Sequence, residues 1–557
     1  MHKEASICVA FRFYPGPGIP ENIFEFFDET SMQPIKFDMP ASGMISLNAL
    51  LPEKLPGMTR CVVVGDCEVE QEQDVILGIG VDWSWCAWLN EKMVCDARVS
   101  RNSEHTFEPD DHLIRCHLQK GHNQFVFEVA NGLSFQFAFK LFEDEERKLK
   151  WRPLVHFPDA SQNAVTITFA LDDIAPGGVL YRRKGQAEWT RIYDTLGGQI
   201  RRDTEVHNVN LLGLEPDADY EYQVFCLDEP SAWGQCPIGE IGQFHTLPGK
   251  GRPFSFVASA DAQHPEKRVN WMKSFFKRDY VKNASFFAYL GDVLWTSNFE
   301  SAVMDGYIAP FQEASDNTKL LQFVRGNHEY YGKDSQRFFA YFSAQRNGKD
   351  GYSMFRCGDV CFIVLDFGDD AGPCPYPSTR ALHCIEGYLD EQARWLANMV
   401  KQPICSEAKF RIVLAHAIPF GDWRTYLERK IHPVIDPIFG GENPVCRIHL
   451  WLGGHVHYPF RSMPFSNDFR SNRIPKFEAD DLLCGRNYGF PVVVFSGPSG
   501  VNPPEMQISD VCVSVAGDEL LVSSHDMNGK EYDRISIDAE GKVTEQFSSP
   551  EFKLVTM

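Results

Sequence analysis

The sequence predicts a multidomain chain: two N-terminal β-sandwich modules followed by an α/β domain. Three observations carry that prediction. At 557 residues the chain is too long for one hydrophobic core. As far as residue 248 its apolar runs are short, rich in Val, Ile, Phe and Trp, and separated by turn residues. From Pro253 onward, short apolar strands alternate with helix-like segments, the pattern of an α/β layer structure.

Bulk properties narrow the function classes. With 43% hydrophobic and 23% charged residues, the chain reads as an ordinary globular protein. No segment approaches the ~18 uninterrupted apolar residues of a membrane span, so no membrane partner is expected. The formal charge of −22 argues against a nonspecific grip on nucleic-acid phosphates. The opening apolar run, 7–11, is short and ends at Arg12, which is not a secretory pattern. Sixteen cysteines are scattered without a dense framework, and Cys361 and Cys512 sit inside apolar runs. The spacings of Cys61 to Cys67 and Cys357 to Cys361 are not zinc-finger pairs. Reduced thiols in a cytoplasmic protein are therefore expected.

Residues 1–147 form the first predicted module, with strands at 74–81, 85–89, 113–118, 124–130 and 133–141. Gly121-His122-Asn123 and Asn131-Gly132 are turn signals, the second at a hairpin position. Trp-Leu-Asn-Glu-Lys-Met-Val at 88–94, followed by Leu-Gln-Lys-Gly-His-Asn-Gln-Phe at 118–125, resembles the jelly-roll modules appended to glycan-active enzymes. That resemblance implies a glycan or protein contact through residues 1–147; a sandwich that only packs or dimerises is the alternative. The charged run 142–150 reads as a linker.

Residues 151–248 form the second predicted module, with strands at 165–171, 178–182, 189–193, 206–211, 220–227 and 242–246. Its segment 210–224, with a Leu-x-Pro corner before Tyr-x-Tyr, resembles the fibronectin type III pattern. Leu214 and Tyr220 would close one end of the sandwich, with Tyr222 on the same face.

Residues 253–557 form the α/β domain, with strands at 254–259, 285–290, 320–324, 360–365, 410–415, 448–452 and 492–495. Helices are expected at 266–277, 299–312, 333–343 and 390–400, the last with Ala393, Leu396, Ala397 and Val400 on one face. A β tail follows Gly497, with strands at 511–515 and 520–523 and an Asn528-Gly529 turn.

Five of these strands end in metal-ligand residue types. The 254–259 strand leads to Asp261 and Gln263, and the 285–290 strand to Gly291-Asp292. The 320–324 strand leads to Gly326-Asn327-His328-Glu329, the 410–415 strand to His416, and the 448–452 strand to Gly453-Gly454-His455-Val456-His457. Sheets of this class present ligands in the crevice at their carboxyl edges. Each piece alone has a plain alternative: Asp261 as a helix cap, a single His as a packed residue. Five such ends in succession point to one metal site.

The series Asp-x-Gln, Gly-Asp, Gly-Asn-His-Glu, His and Gly-His-x-His resembles the calcineurin-like metallophosphoesterase superfamily. The resemblance implies a two-sheet core flanked by helices and a dinuclear centre of divalent or trivalent ions (Mn, Fe or Zn). It implies that Asp261, Gln263, Asp292 and His457 hold the first ion, and Asp292, Asn327, His416 and His455 the second, with Asp292 bridging. His328 would lie outside the coordination shell as a catalytic acid beside Asp292. The implied reaction is hydrolysis of a small-molecule phosphomonoester or phosphodiester by metal-bound hydroxide. Its alternatives are a nuclease of the same superfamily, or a glycan- or partner-binding protein with a weakened catalytic domain.

Two departures from that pattern are informative. Gln263 stands where the superfamily has His, which tilts the first site toward harder ions. A sandwich before Gly-Asn-His-Glu also resembles the purple acid phosphatases, but their iron-ligating Tyr is Trp295 here, which cannot coordinate a metal. On the substrate side, Trp295, Tyr330, Trp423 and Tyr458 are candidates for a cleft wall or for core. Arg325 and Arg461 are candidate phosphate contacts, and 368–384 reads as an inserted loop. His264 is a substrate contact or solvent-exposed, and Glu329 orients His328 or begins a helix.

Overall fold

Two antiparallel sheets built from residues 10–143 enclose a core of Phe, Val, Ile and Leu side chains that includes Phe13, Val63, Leu77, Trp85, Phe127 and Phe137. A computed structural model describes residues 3–16, 23–24, 32–101, 107–132, 134–159, 161–228, 230, 234–293, 299–342, 351–368, 385–420, 426–466, 468–472, 488–498 and 507–555. Trp295, Trp423 and all but the first residue of the 368–384 segment lie outside them. The chain divides into two compact units, residues 1–147 with 226–237, and residues 148–225 with 238–557.

In the first unit, one sheet runs in the order Met44–Ser46, Gln136–Glu143, Gln73–Val81, His112–Leu118. The other contains Arg60–Val69, Gly121–Ala130, Trp85–Leu89 and Lys92–Asp96 side by side. Chain order alternates between the two sheets, so most neighbouring strands within a sheet are not consecutive in sequence. The Asn131-Gly132 hairpin is a correction: Gly121–Ala130 and Gln136–Glu143 belong to opposite sheets. The Asn131 side chain instead accepts from Thr59 N at 2.7 Å, and Gly132 N donates to Asp82 at 3.0 Å, as the chain crosses between layers.

In the second unit, Val206–Leu211, Val165–Ala170 and Leu154–His156 form three strands of a ten-stranded sheet. Leu214, Tyr220 and Tyr222 are buried, and Tyr220 Oη accepts from Glu215 N at 3.1 Å, a corner that ties a strand to its preceding turn. Leu154–His156 pairs in parallel with Leu320–Phe323, so the β module and the α/β domain share one continuous sheet. That sheet continues through Phe286–Tyr289 and Phe254–Ser259 to the antiparallel strands of the C-terminal tail.

A nine-stranded sheet carries Val360–Leu365, Phe410–Ala415, Leu450–Gly453 and Val492–Val494 in parallel. The layers meet through aromatic rings. Phe256 stacks on Phe286 at 4.9 Å, both meet Phe362 edge-on at 5.0 and 5.3 Å, and Phe157 stacks on Phe355 at 4.7 Å. Each such pair adds about 0.5–1.5 kcal/mol beyond its buried area.

The expected helices are present at Pro265–Phe275, Ala309–Ala314 (continuing a π-helical turn from Glu300), Phe338–Phe342 and Ile385–Met399. The last is buried along Ile385, Leu389, Gln392 and Leu396, with Ala393 and Ala397 flanking that stripe. All thirteen described cysteines are unpaired.

Candidate metal centre

Every expected ligand follows a parallel strand at its carboxyl end. Asp261, Gln263, Asp292 and Asn327 come from the ten-stranded sheet, and His416, His455 and His457 from the nine-stranded one. The structure brings all seven to the edge where the two sheets meet. Four of them hold left-handed backbone: Asp261 at φ 55°, Asp292 at 63°, His455 at 71° and His457 at 59°. Such conformations are costly for non-glycine residues and persist where surrounding contacts over-determine them.

Those contacts are visible. Glu329 is buried, and its carboxylate accepts from Asp292 N at 2.9 Å, Val293 N at 2.8 Å and Gly326 N at 2.7 Å, clamping the Asp292 and Asn327 turns together. Gly326 and Gly291 make this approach feasible. A Cβ on Gly326 would lie 2.7 Å from Asp292 N, and one on Gly291 2.6 Å from Gly326 Cα. Asp261 N donates to Gly291 O at 3.0 Å, and His455 N donates to the Asp261 carboxylate at 3.0 Å. The His416 Nδ1–H donates to Leu290 O at 2.7 Å, which turns Nε2 toward the site.

Around that edge, donor atoms fall into two groups that share Asp292. Asp292, His416 and His455 form one, and Asp261, Asp292 and His457 the other, with ligand atoms of each within 4.8 Å of one another. Asn327 Oδ1 joins the first group, 3.0 Å from His416 Nε2 and 2.9 Å from His455 Nδ1. Gln263 joins the second: its Nε2 donates to Asp292 at 3.2 Å, while its fully buried Oε1 has no hydrogen-bond partner. A buried carbonyl oxygen left unpaired is costly, and turning the amide over would bring that oxygen to the position from which Nε2 now meets Asp292, where it could serve a cation. The donor set therefore fits two ions, the first mostly through oxygen and the second richer in imidazole.

Electrostatics point the same way. Burial works to raise the Asp292 pKa, yet His416, His328 and His455 hold it well below the ordinary carboxylate range. Burial works to lower that of His416, yet Asp292 pushes it up to about 10. His457 is likewise raised by Asp261 against burial.

His328 stands beside this cluster, its Nε2 3.7 Å from Asp292 Oδ2 and its backbone N donating to Asp292 Oδ1 at 3.0 Å. Several other sequence readings are corrected. His264, not Asp261, caps the following helix, accepting from Lys267 N at 3.4 Å with Pro265 in the first turn. Glu329 does not orient His328; it binds backbone amides. Arg325 is buried against Asp366, with Nη2–Oδ2 at 2.6 Å and the Tyr330 ring 3.7 Å away, so it braces the turn from behind. Arg461 is 1% exposed and engaged by Asp533 and Glu545. Tyr330 and Tyr458 are packed in or against the core of the nine-stranded sheet.

Sequence reasoning named Glu329 but not its clamp on backbone amides, and missed Arg268 and Tyr289 as parts of the site's frame. Tyr289 Oη accepts from Ala262 N at 2.9 Å and donates to Asp292 O at 3.2 Å. All three side chains bind backbone groups of the ligand-bearing turns, a role that residue type in a motif does not reveal.

Residues 255–459 match the family model described as calcineurin-like phosphoesterase. No curated protein sequence matches the chain. Among solved structures, it is similar to a purple acid phosphatase from yellow lupin (Lupinus luteus) seeds, at 14% identity over 87% of this chain and 93% of that one, with a TM-score of 0.48. It is similar to PhoD at 12% identity over 72% and 92% of the two chains, TM-score 0.46. A dimetal phosphatase from Danio rerio gives 12% identity over 52% and 100%, TM-score 0.34.

Proposed function

From the premise that residues 255–459 are a calcineurin-like phosphoesterase domain, we propose that this chain hydrolyses small-molecule phosphomonoesters or phosphodiesters at a dinuclear metal centre. One observation supports the reading above others: two donor groups share the single carboxylate Asp292. Asp261, Gln263, Asp292 and His457 would hold the first ion, and Asp292, Asn327, His416 and His455 the second. Bound there, two cations of the Mn, Fe or Zn kind would neutralise phosphoryl oxygens and lower the pKa of water.

The chain's own residues do the rest. Asp292 keeps the two donor groups at one spacing. The His416 ring is fixed by the Leu290 carbonyl, so its Nε2 needs no reorientation on binding. His328, outside the donor groups and 15% exposed, is placed to donate a proton to the leaving oxygen.

The test is hydrolysis of p-nitrophenyl phosphate and its bis-ester by Mn²⁺-loaded protein. Activity is expected in the wild type and is lost in Asp292→Asn. Fully metallated protein that cleaves neither compound, nor any member of a broad phosphoester panel, would refute the assignment.

A further inference from the structure

We propose that Arg268 is a positioning residue for the first metal site, holding the Asp261–Gln263 and Asp292 turns at one spacing; the proposal rests on the dinuclear reading above. Arg268 lies on the buried face of helix Pro265–Phe275 with Trp271, Met272 and Phe275, and is 2% exposed. Its Nη1 donates to both Ala262 O and Val293 O. Ala262 sits between Asp261 and Gln263, and Val293 follows Asp292. One nitrogen therefore spans the two turns that carry three of the four first-site donors. Tyr289 Oη makes a parallel tie, from Ala262 N to Asp292 O.

The residue type is otherwise hard to explain. Among the described residues the guanidinium is surrounded by the Tyr289 and Tyr307 phenols rather than by a carboxylate, and its Nε has no partner. A buried cation without a counter-ion is a poor source of stability, and a Met or Leu would pack on this helix face more favourably. What an apolar side chain could not do is bind two carbonyls at once. The second-site donors are held by other means: Glu329 clamps the Asn327 turn, and the Leu290 carbonyl orients His416. Asp292 serves both sites but is also held by Glu329, so loss of Arg268 should act chiefly on the first site.

The probe is Mn²⁺ alone, added to metal-free full-length protein and followed by calorimetric titration and electron paramagnetic resonance. The wild type is expected to bind two ions and show a spin-coupled pair. Arg268→Met is expected to keep the second-site affinity while the first-site affinity falls about 10- to 100-fold, so half-loaded protein shows an uncoupled six-line spectrum. Arg268→Lys, whose amine reaches one carbonyl, should fall between them. Circular dichroism of the metal-free proteins establishes folding; if Arg268→Met does not fold, Arg268→Lys and Tyr289→Phe decide on the same readouts. A folded variant that binds both ions with wild-type affinity and coupling overturns the proposal. So does equal weakening of both sites, which would make Arg268 a general core residue. Wild-type protein that takes up fewer than two ions sinks the dinuclear reading itself, before any variant is compared.

Discussion

Glu329→Gln should loosen the turns around Asp292 by an amount that can be counted from the hydrogen bonds. Oε2 accepts from two amides, Asp292 and Gly326, and Oε1 from one, Val293. An amide side chain presents oxygen on one side only. Its best orientation keeps oxygen on Asp292 and Gly326 and turns the NH₂ toward the Val293 N–H, orphaning one buried donor. That costs about 1–3 kcal/mol. An opposing effect is smaller: burial and the neighbouring Asp292 raise the Glu329 pKa, and a neutral amide relieves that strain. The net expectation is a local destabilisation of about 1–2 kcal/mol, or a factor of roughly 5–30 in the opening equilibrium. Glu329→Ala leaves all three donors bare and should exceed Glu329→Gln. The assay is amide hydrogen exchange of metal-free protein, read on peptides covering 286–293 and 320–329. Exchange there should accelerate in the order wild type, Gln, Ala, with distant peptides unchanged. Equal rates in all three proteins would refute the clamp.

Three further outcomes are expected. Gln263→His replaces an amide oxygen by imidazole nitrogen and should retain hydrolysis while shifting the preferred ion away from Mn²⁺ toward Zn²⁺; an unchanged metal preference would remove Gln263 from the coordination shell. His156 is fully buried, and burial lowers its pKa to about 4 from 6.5. Since the unfolded chain protonates first, its contribution is complete above pH 6.5 and lost as pH falls through about 4, at most about 3 kcal/mol. His156→Gln should flatten the acid limb of a stability–pH curve in that window, and superimposable limbs would contradict this. Arg461→Met breaks a buried pair with Asp533 and should destabilise the domain by about 3–5 kcal/mol without changing KM for a phosphoester. A raised KM at unchanged stability would restore Arg461 as a phosphate contact.

The donor residues were legible in the sequence because each follows an apolar strand by one to four positions, so local order alone places Asp261, Asp292, Asn327, His416 and His455 at strand ends. Residue type then suggested the chemistry, with Gln263 as the odd oxygen-donor candidate in the first group. The strand pattern of the α/β domain was equally local: 254–259, 360–365 and 410–415 are strands with those bounds.

What stayed hidden depends on partners distant in sequence. Asn131-Gly132 has the composition of a hairpin, yet turn residues do not specify which sheet the next strand joins. Arg325 and Arg461 read as candidate phosphate contacts, because only packing brings Asp366, 41 residues away, and Asp533, 72 residues away, against them. Glu329 and Arg268 hold the site through backbone amides and carbonyls, so even where a motif includes the residue, as Gly-Asn-His-Glu includes Glu329, it does not reveal that role. The sequence by itself determined which side chains are candidates to bind metal. The tertiary structure decided their spacing, through two sheets that meet at their carboxyl edges and through buried polar groups that find their partners only when the chain is folded.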